Sequence, residues 1–205
     1  MKRGDKTVLS ISAALAVAVI VGVAFSLLVL DRRSRTSVNA SDSSSSLLVV
    51  TWGPSLCAVE PSNSGCRSGR VEQLGQSLIL HGLWPQPSTE QYCDVPKGVP
   101  DRKRSPVPLP DDVTDRLQTM LSDPSLMTTH EWYAHGTCSG VTAPEYFGLA
   151  TDLAQEAVRV LNPVFAASSG RQISARSVRQ TVDAAFGGGA GMRVGLSCKT
   201  AQGGE

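Results

Sequence analysis

The sequence predicts a domain of mixed strands and helices. Three observations predict it: two short β-branched and aromatic runs, four segments with helical periodicity behind them, and a last short strand-like segment. Leu47-Leu48-Val49-Val50-Thr51-Trp52 is ended by Gly53-Pro54 and reads as a strand. Ser77-Leu78-Ile79-Leu80 reads as a second strand that delivers His81 at its end, where catalytic side chains are commonly carried. Tyr92 to Pro110 holds five prolines and the cluster Arg102-Lys103-Arg104, which predicts a long irregular segment with solvated charges. Residues 112–121 place Val113, Leu117, Met120 and Leu121 on one helical face, stopped before Pro124. A further helix is expected from His130 to Gly136. Over 144–161, Pro144 suits a first turn, and Phe147, Ala150, Leu153, Ala154, Ala157, Val160 and Leu161 form a stripe expected to face the core. Residues 174–186 predict a helix ended by three glycines, and 192–199 a strand. Gly187 to Gly191 lacks the Gly-Lys-Ser/Thr ending of a phosphate loop and is expected to be a turn.

Ahead of this domain, Lys2, Arg3 and Lys6 precede an apolar run of 23 residues, Val8 to Leu30. About 20 apolar residues cross a bilayer as a helix, so residues 1–33 are expected to be a membrane anchor, with the membrane met through residues 8–30. A cleavable signal ending near Val38-Asn39-Ala40 is the alternative. The serine-rich residues 34–46 read as a flexible tether, which leaves 47–205 as one domain. From Thr36 onward, 13 Lys and Arg stand against 16 Asp and Glu, a net of −3. A broad basic surface is excluded, so a polyanion would have to be bound at a local site. All five cysteines lie beyond the apolar run and no Cys-x-x-Cys occurs, which predicts disulfides with one thiol left over and an extracytoplasmic location.

The three histidines, His81, His130 and His135, sit in two short strings: His81-Gly82-Leu83-Trp84-Pro85-Gln86 and His130-Glu131-Trp132-Tyr133-Ala134-His135-Gly136-Thr137-Cys138-Ser139. Histidine both gives and takes a proton near neutrality. The second string is close to the zinc motif His-Glu-x-x-His, but its second histidine comes five residues on, about 140° round a regular helix. Both rings would not meet one ion, so no metal and no cofactor are expected. RNA cleavage needs a base for the ribose 2′-OH, an acid for the leaving 5′-oxygen and donors to the phosphoryl oxygens. Histidines on both sides of a phosphate suffice, and Trp84 and Tyr92 would offer faces to bases.

The two strings resemble the paired active-site signatures of the ribonuclease T2 family, and Val50-Thr51-Trp52-Gly53-Pro54-Ser55-Leu56-Cys57 resembles the opening of its bacterial members. The resemblance implies an α+β fold, a central antiparallel sheet packed with helices. It implies His81 as general acid, His135 as general base, His130 as the phosphate-binding histidine and Glu131 as a group polarising the phosphoryl. It implies Trp84 and Tyr92 stacking on the base 5′ to the scissile bond, with Gln86 where some members carry an aspartate. It also implies the pairs Cys57–Cys66 and Cys93–Cys138. The activity expected is metal-independent cleavage of single-stranded RNA through a 2′,3′-cyclic phosphate to a 3′-phosphate, with low base specificity, by a monomer whose partner is RNA and no other protein. A catalytically weakened RNA-binding or surface interaction module is the alternative.

Two departures stand out. Ala134 occupies the position of the lysine that usually precedes the second-string histidine, which predicts a slower enzyme. Cys198 resembles a cysteine that pairs further on, so the chain reads as ending before one strand of the sheet.

Overall fold

The computed structural model describes residues 45–199; the anchor at 1–33, nearly all of the tether, and the last six residues lie outside them. Strand β1 (Ser46–Trp52) pairs antiparallel with β2 (Leu78–Pro85), in register from Ser46 opposite Pro85 to Trp52 opposite Leu78. The register shifts by one residue between Val49, opposite Gly82, and Val50, opposite Leu80. His81 is thereby left unpaired on a β-bulge inside β2, and does not stand at the strand's end as expected. A bulge resets the alternation of faces. Leu80 and Leu83 consequently share one core although they are three residues apart, while His81 and Trp84 share the other side and touch edge to face at 5.6 Å.

Three short helices follow β1: α1 (Gly53–Val59), α2 (Ser64–Arg67) and α3 (Arg70–Gln73). They close a small core of Leu56, Val71 and Ile79, stapled by Cys57–Cys66. The larger core is built from β2 with α4 (Asp111–Gln118) and α6 (Ala143–Ala167), and contains Leu80, Leu83, Val113, Leu117, Leu121, Tyr146, Phe147, Ala150 and Ala154. The Tyr146 hydroxyl, buried there, donates to the Leu83 carbonyl at 2.6 Å, so β2 is tied to α6 directly below the bulge. Helix α6 starts at a reciprocal cap between Thr142 and Glu145. It runs six residues beyond the expected end, through Pro163, and leaves Leu153 40% exposed, so that stripe residue is solvent-facing among the described residues.

Helix α5 (Pro124–Ala134) begins where the Asp123 carboxylate accepts from the Leu126 amide at 3.2 Å, one and a half turns ahead of the start expected at His130. Helix α7 (Ala175–Phe186) stops at Gly187, whose φ of 99° ends the helix.

The strand expected at 192–199 is absent among the described residues. A single 3-10 turn, Ala190–Arg193, packs on α7 instead. The Gly191 amide donates to Asp183 Oδ1 at 2.8 Å and Arg179 Nε donates to the Val194 carbonyl at 3.2 Å. A Cβ on Gly191 would lie 2.3 Å from the Arg179 carbonyl oxygen. Within the expected strand, the Val194 carbonyl is thereby taken by α7. The fold is therefore α+β as expected, with seven helices and a two-stranded antiparallel sheet among the described residues.

Candidate active site

The bulge, helix α5 and the turn after it bring the two histidine strings together. The centre is Glu131, with a side chain only 1% exposed. Its Oε2 accepts from the Trp84 indole at 3.1 Å. Its Oε1 is buried with no hydrogen-bond partner among the described residues, and lies 3.9 Å from His81 Nε2 and 4.0 Å from His130 Nε2. The imidazoles of His81 and His130 thus face one buried carboxyl oxygen. Gly82 makes the approach possible: a Cβ there would fall 1.8 Å from Glu131 Oε2.

His135 is the residue at which α5 ends. Its φ of −127° and ψ of −50° leave the helical region, and a 3-10 turn Gly136–Cys138 follows. The ring stacks on Trp84, centroids 5.1 Å apart and planes at 25°, and meets His130 edge to face at 6.0 Å. This corrects the argument from helical spacing. The 140° separation holds only along a continuous helix, and the helix stops at Ala134. Ligand atoms of His130, Glu131 and His135 all lie within 4.8 Å of one another. Gly136 is needed here as well, since a Cβ would meet Trp132 Cε3 at 2.3 Å.

Burial and mutual charge set the proton affinities. Burial pushes the Glu131 carboxyl up to about 7, against the opposing pull of the His130 charge and the Trp84 hydrogen bond. Burial, then the charges of His130 and His81, hold His135 down at about 4. His81 is lowered from 6.5 by burial and then by the His130 charge. The pattern separates the roles that acid–base chemistry requires. His135 is neutral over most of the pH range and can take a proton. His81 is nearly half exposed and protonated only in acid. Glu131 is an uncharged carboxyl in that same range.

Trp84, expected as a base-stacking face, lies inside the cluster, between His81, His135 and Glu131. Tyr92 holds a left-handed backbone, φ 55°, uncommon for a non-glycine residue. Its amide donates to the Ala134 carbonyl at 3.0 Å, and Cys93–Cys138 pins the neighbouring residue to the chain beyond His135. Both expected disulfides are formed and Cys198 is free. Ala134 is buried at 1% exposure, so the position at which a lysine was expected is a packed one.

Two residues of the site were not singled out for the roles they take. Asp101 Oδ2 is 2.7 Å from His130 Nδ1. Arg104 pairs with Asp101 at 3.3 Å with a side chain only 5% exposed, so one member of the supposedly solvated basic cluster is enclosed. The only signal in the sequence was an acid beside that cluster.

A family model described as the Ribonuclease T2 family matches residues 44–205. A ribonuclease MC of Momordica charantia is 30% identical over 167 residues, covering 74% of this chain and 78% of that protein. A ribonuclease of Aeromonas hydrophila is 32% identical over 112 residues, covering 53% of this chain and 44% of that protein. Among solved structures, ribonuclease MC1 from bitter gourd seeds aligns at a TM-score of 0.48 and 26% identity, over 70% of this chain and 75% of that one.

Proposed function

This chain belongs to the ribonuclease T2 family and is a ribonuclease; from that premise we propose that it cuts single-stranded RNA by acid–base transphosphorylation at the His81–His130–Glu131–His135 cluster. The observation that carries the reading is the buried Glu131 Oε1 within 4.0 Å of two imidazole nitrogens. His135 takes the proton of the 2′-OH, which attacks phosphorus and forms a 2′,3′-cyclic phosphate. His81 protonates the departing 5′-oxygen. His130 Nε2 and the uncharged Glu131 carboxyl donate to the phosphoryl oxygens, where charge develops. Water then opens the cyclic phosphate to a 3′-phosphate with the acid and base reversed. The 2′-OH is a reactant, so DNA resists. Tyr92, and Trp84 by the face turned away from His135, would stack on the base 5′ to the cut. Base stacking tolerates any base, which supports low specificity. The domain at 47–205 would act as a monomer behind a tether and an anchor or signal. The two disulfides support an oxidising, extracytoplasmic setting.

The closeness of the His130, Glu131 and His135 ligand atoms favours one second reading, metal-assisted hydrolysis. Cleavage assayed in EDTA separates the two: undiminished activity that leaves cyclic phosphate ends supports the proposal, and loss on chelation restored by a divalent ion supports the metal. A binding module is separated by the His81→Ala and His135→Ala variants, which abolish turnover only if turnover exists.

A further inference from the structure

His130 offers two nitrogens, and the structure uses them differently. Nε2 lies 4.0 Å from Glu131 Oε1. Nδ1 faces away, 2.7 Å from Asp101 Oδ2, on the 3-10 turn Asp101–Lys103 that interrupts the proline-rich segment. That turn is held in place. Arg104 Nε pairs with Asp101 Oδ1 at 3.3 Å, and its Nη2 donates to the Pro96 carbonyl at 2.9 Å. Its guanidinium carbon lies 5.2 Å from the centre of the Tyr92 ring and 4.9 Å from that of Tyr133. Tyr133 is a neighbour of the site residues on α5, and its hydroxyl donates to the Ser105 carbonyl at 3.2 Å. The loop is thus docked on α5 by contacts that converge on the Arg104 guanidinium, which in turn holds the Asp101 carboxylate.

We propose that Asp101, held by the Arg104–Tyr92–Tyr133 clamp, is a positioning residue for His130 in the ribonuclease reaction, a role that rests on the function proposed above. A carboxylate on Nδ1 keeps a proton there and fixes the ring's orientation, as partners on the far nitrogen of functional histidines do. Nε2 is then aimed at the phosphoryl oxygen before RNA arrives. With Nδ1–H donating to Asp101, the Nε2 edge of the ring is the one left to meet the phosphate. The chain distance of 29 residues between the partners explains why no local pattern announces the pair.

The test uses Asp101→Asn, which keeps an acceptor for Nδ1–H, and Asp101→Leu, which keeps the volume and removes the acceptor, each assayed well below its own Tm. Loss of one charge-assisted hydrogen bond predicts about a tenfold or greater fall in kcat for the leucine variant, and a smaller fall for asparagine. The second readout is 15N NMR of histidine-labelled full chain. The parent is expected to show a protected Nδ1 proton on His130, kept in asparagine and lost in leucine. Equal kcat in the parent and the leucine variant, while His130→Ala inactivates, overturns the proposal. So does a parent whose His130 Nδ1 carries no protected proton. A parent that leaves RNA uncut defeats the functional reading instead, and the NMR signature still decides the role of Asp101.

Discussion

At the scale of single residues, the proposed mechanism rests on different proton affinities in neighbouring groups. His135 is competent as a base above about 4, and His81 is charged as an acid only below its lowered value, under 6.5. The two limits predict a bell-shaped kcat/KM profile with an acidic optimum between them; a profile still rising at pH 8 contradicts this assignment. Glu131 carries a stability consequence. Its folded value, about 7, lies above its ordinary 4.5, so the folded state holds this proton more tightly. That contribution is complete below pH 4.5 and is lost as the pH rises through about 7, on the order of 3 kcal/mol in all. Glu131→Gln removes the charge that must be buried. Its Tm relative to the parent is therefore expected to rise between pH 5 and pH 8, while kcat falls. The histidines and Glu131 were legible as a set because they lie in two compact strings. Their geometry was not, because it depends on where α5 stops: His135 faces its partners only by leaving the helix. Ala134 is another residue the sequence could place but not pack. A lysine there would have to force its way out of a buried position, so Ala134→Lys is expected to lower Tm, as calorimetry would show.

At the scale of elements, the β-bulge in β2 and the short turn after α5 do the positioning. Both depend on glycines in close quarters: Gly82 against Glu131 and Trp84, Gly136 against Trp132. Gly82→Ala would drive a methyl group into Glu131 and Trp84. Overpacking of this kind costs about 1–3 kcal/mol, and the displaced carboxyl is expected to lower kcat about a hundredfold or more, by analogy with loss of one oxyanion donor. A Gly82→Ala enzyme with parental kcat contradicts the role given to the bulge. Strand β1, the start of β2, and helices α4, α6 and α7 could be read from periodicity, because amphipathic faces and caps are local. The bulge could not, since register is a property of two strands. Nor could the fate of 192–199, where Arg179 on α7 holds the Val194 carbonyl. Asp101 stayed hidden for the same reason: its partner is distant in the chain, and a proline-rich segment carries no periodic pattern.

At the scale of the whole molecule, two disulfides divide the work. Cys57–Cys66 closes a separation of 9 residues beneath the small core, and Cys93–Cys138 closes one of 45 between the segment of Tyr92 and the end of the second string. Loop-closure entropy makes the longer bridge worth about 4 kcal/mol and the shorter about 2.6 kcal/mol. The Cys93→Ser/Cys138→Ser double variant is therefore expected to lose more Tm than the Cys57→Ser/Cys66→Ser one, and to lose activity as well, since Tyr92 and the Asp101 turn are released together. Equal Tm losses with unchanged activity would show that the long bridge does not hold the site. The claim on which everything else rests is that three histidines and a buried glutamic acid cleave RNA without help. The most direct test is to incubate the full chain with single-stranded RNA in EDTA at acidic pH and analyse the ends produced. The account predicts 2′,3′-cyclic phosphate termini that disappear in His81→Ala and in His135→Ala; intact RNA, or cleavage that survives both substitutions, contradicts it.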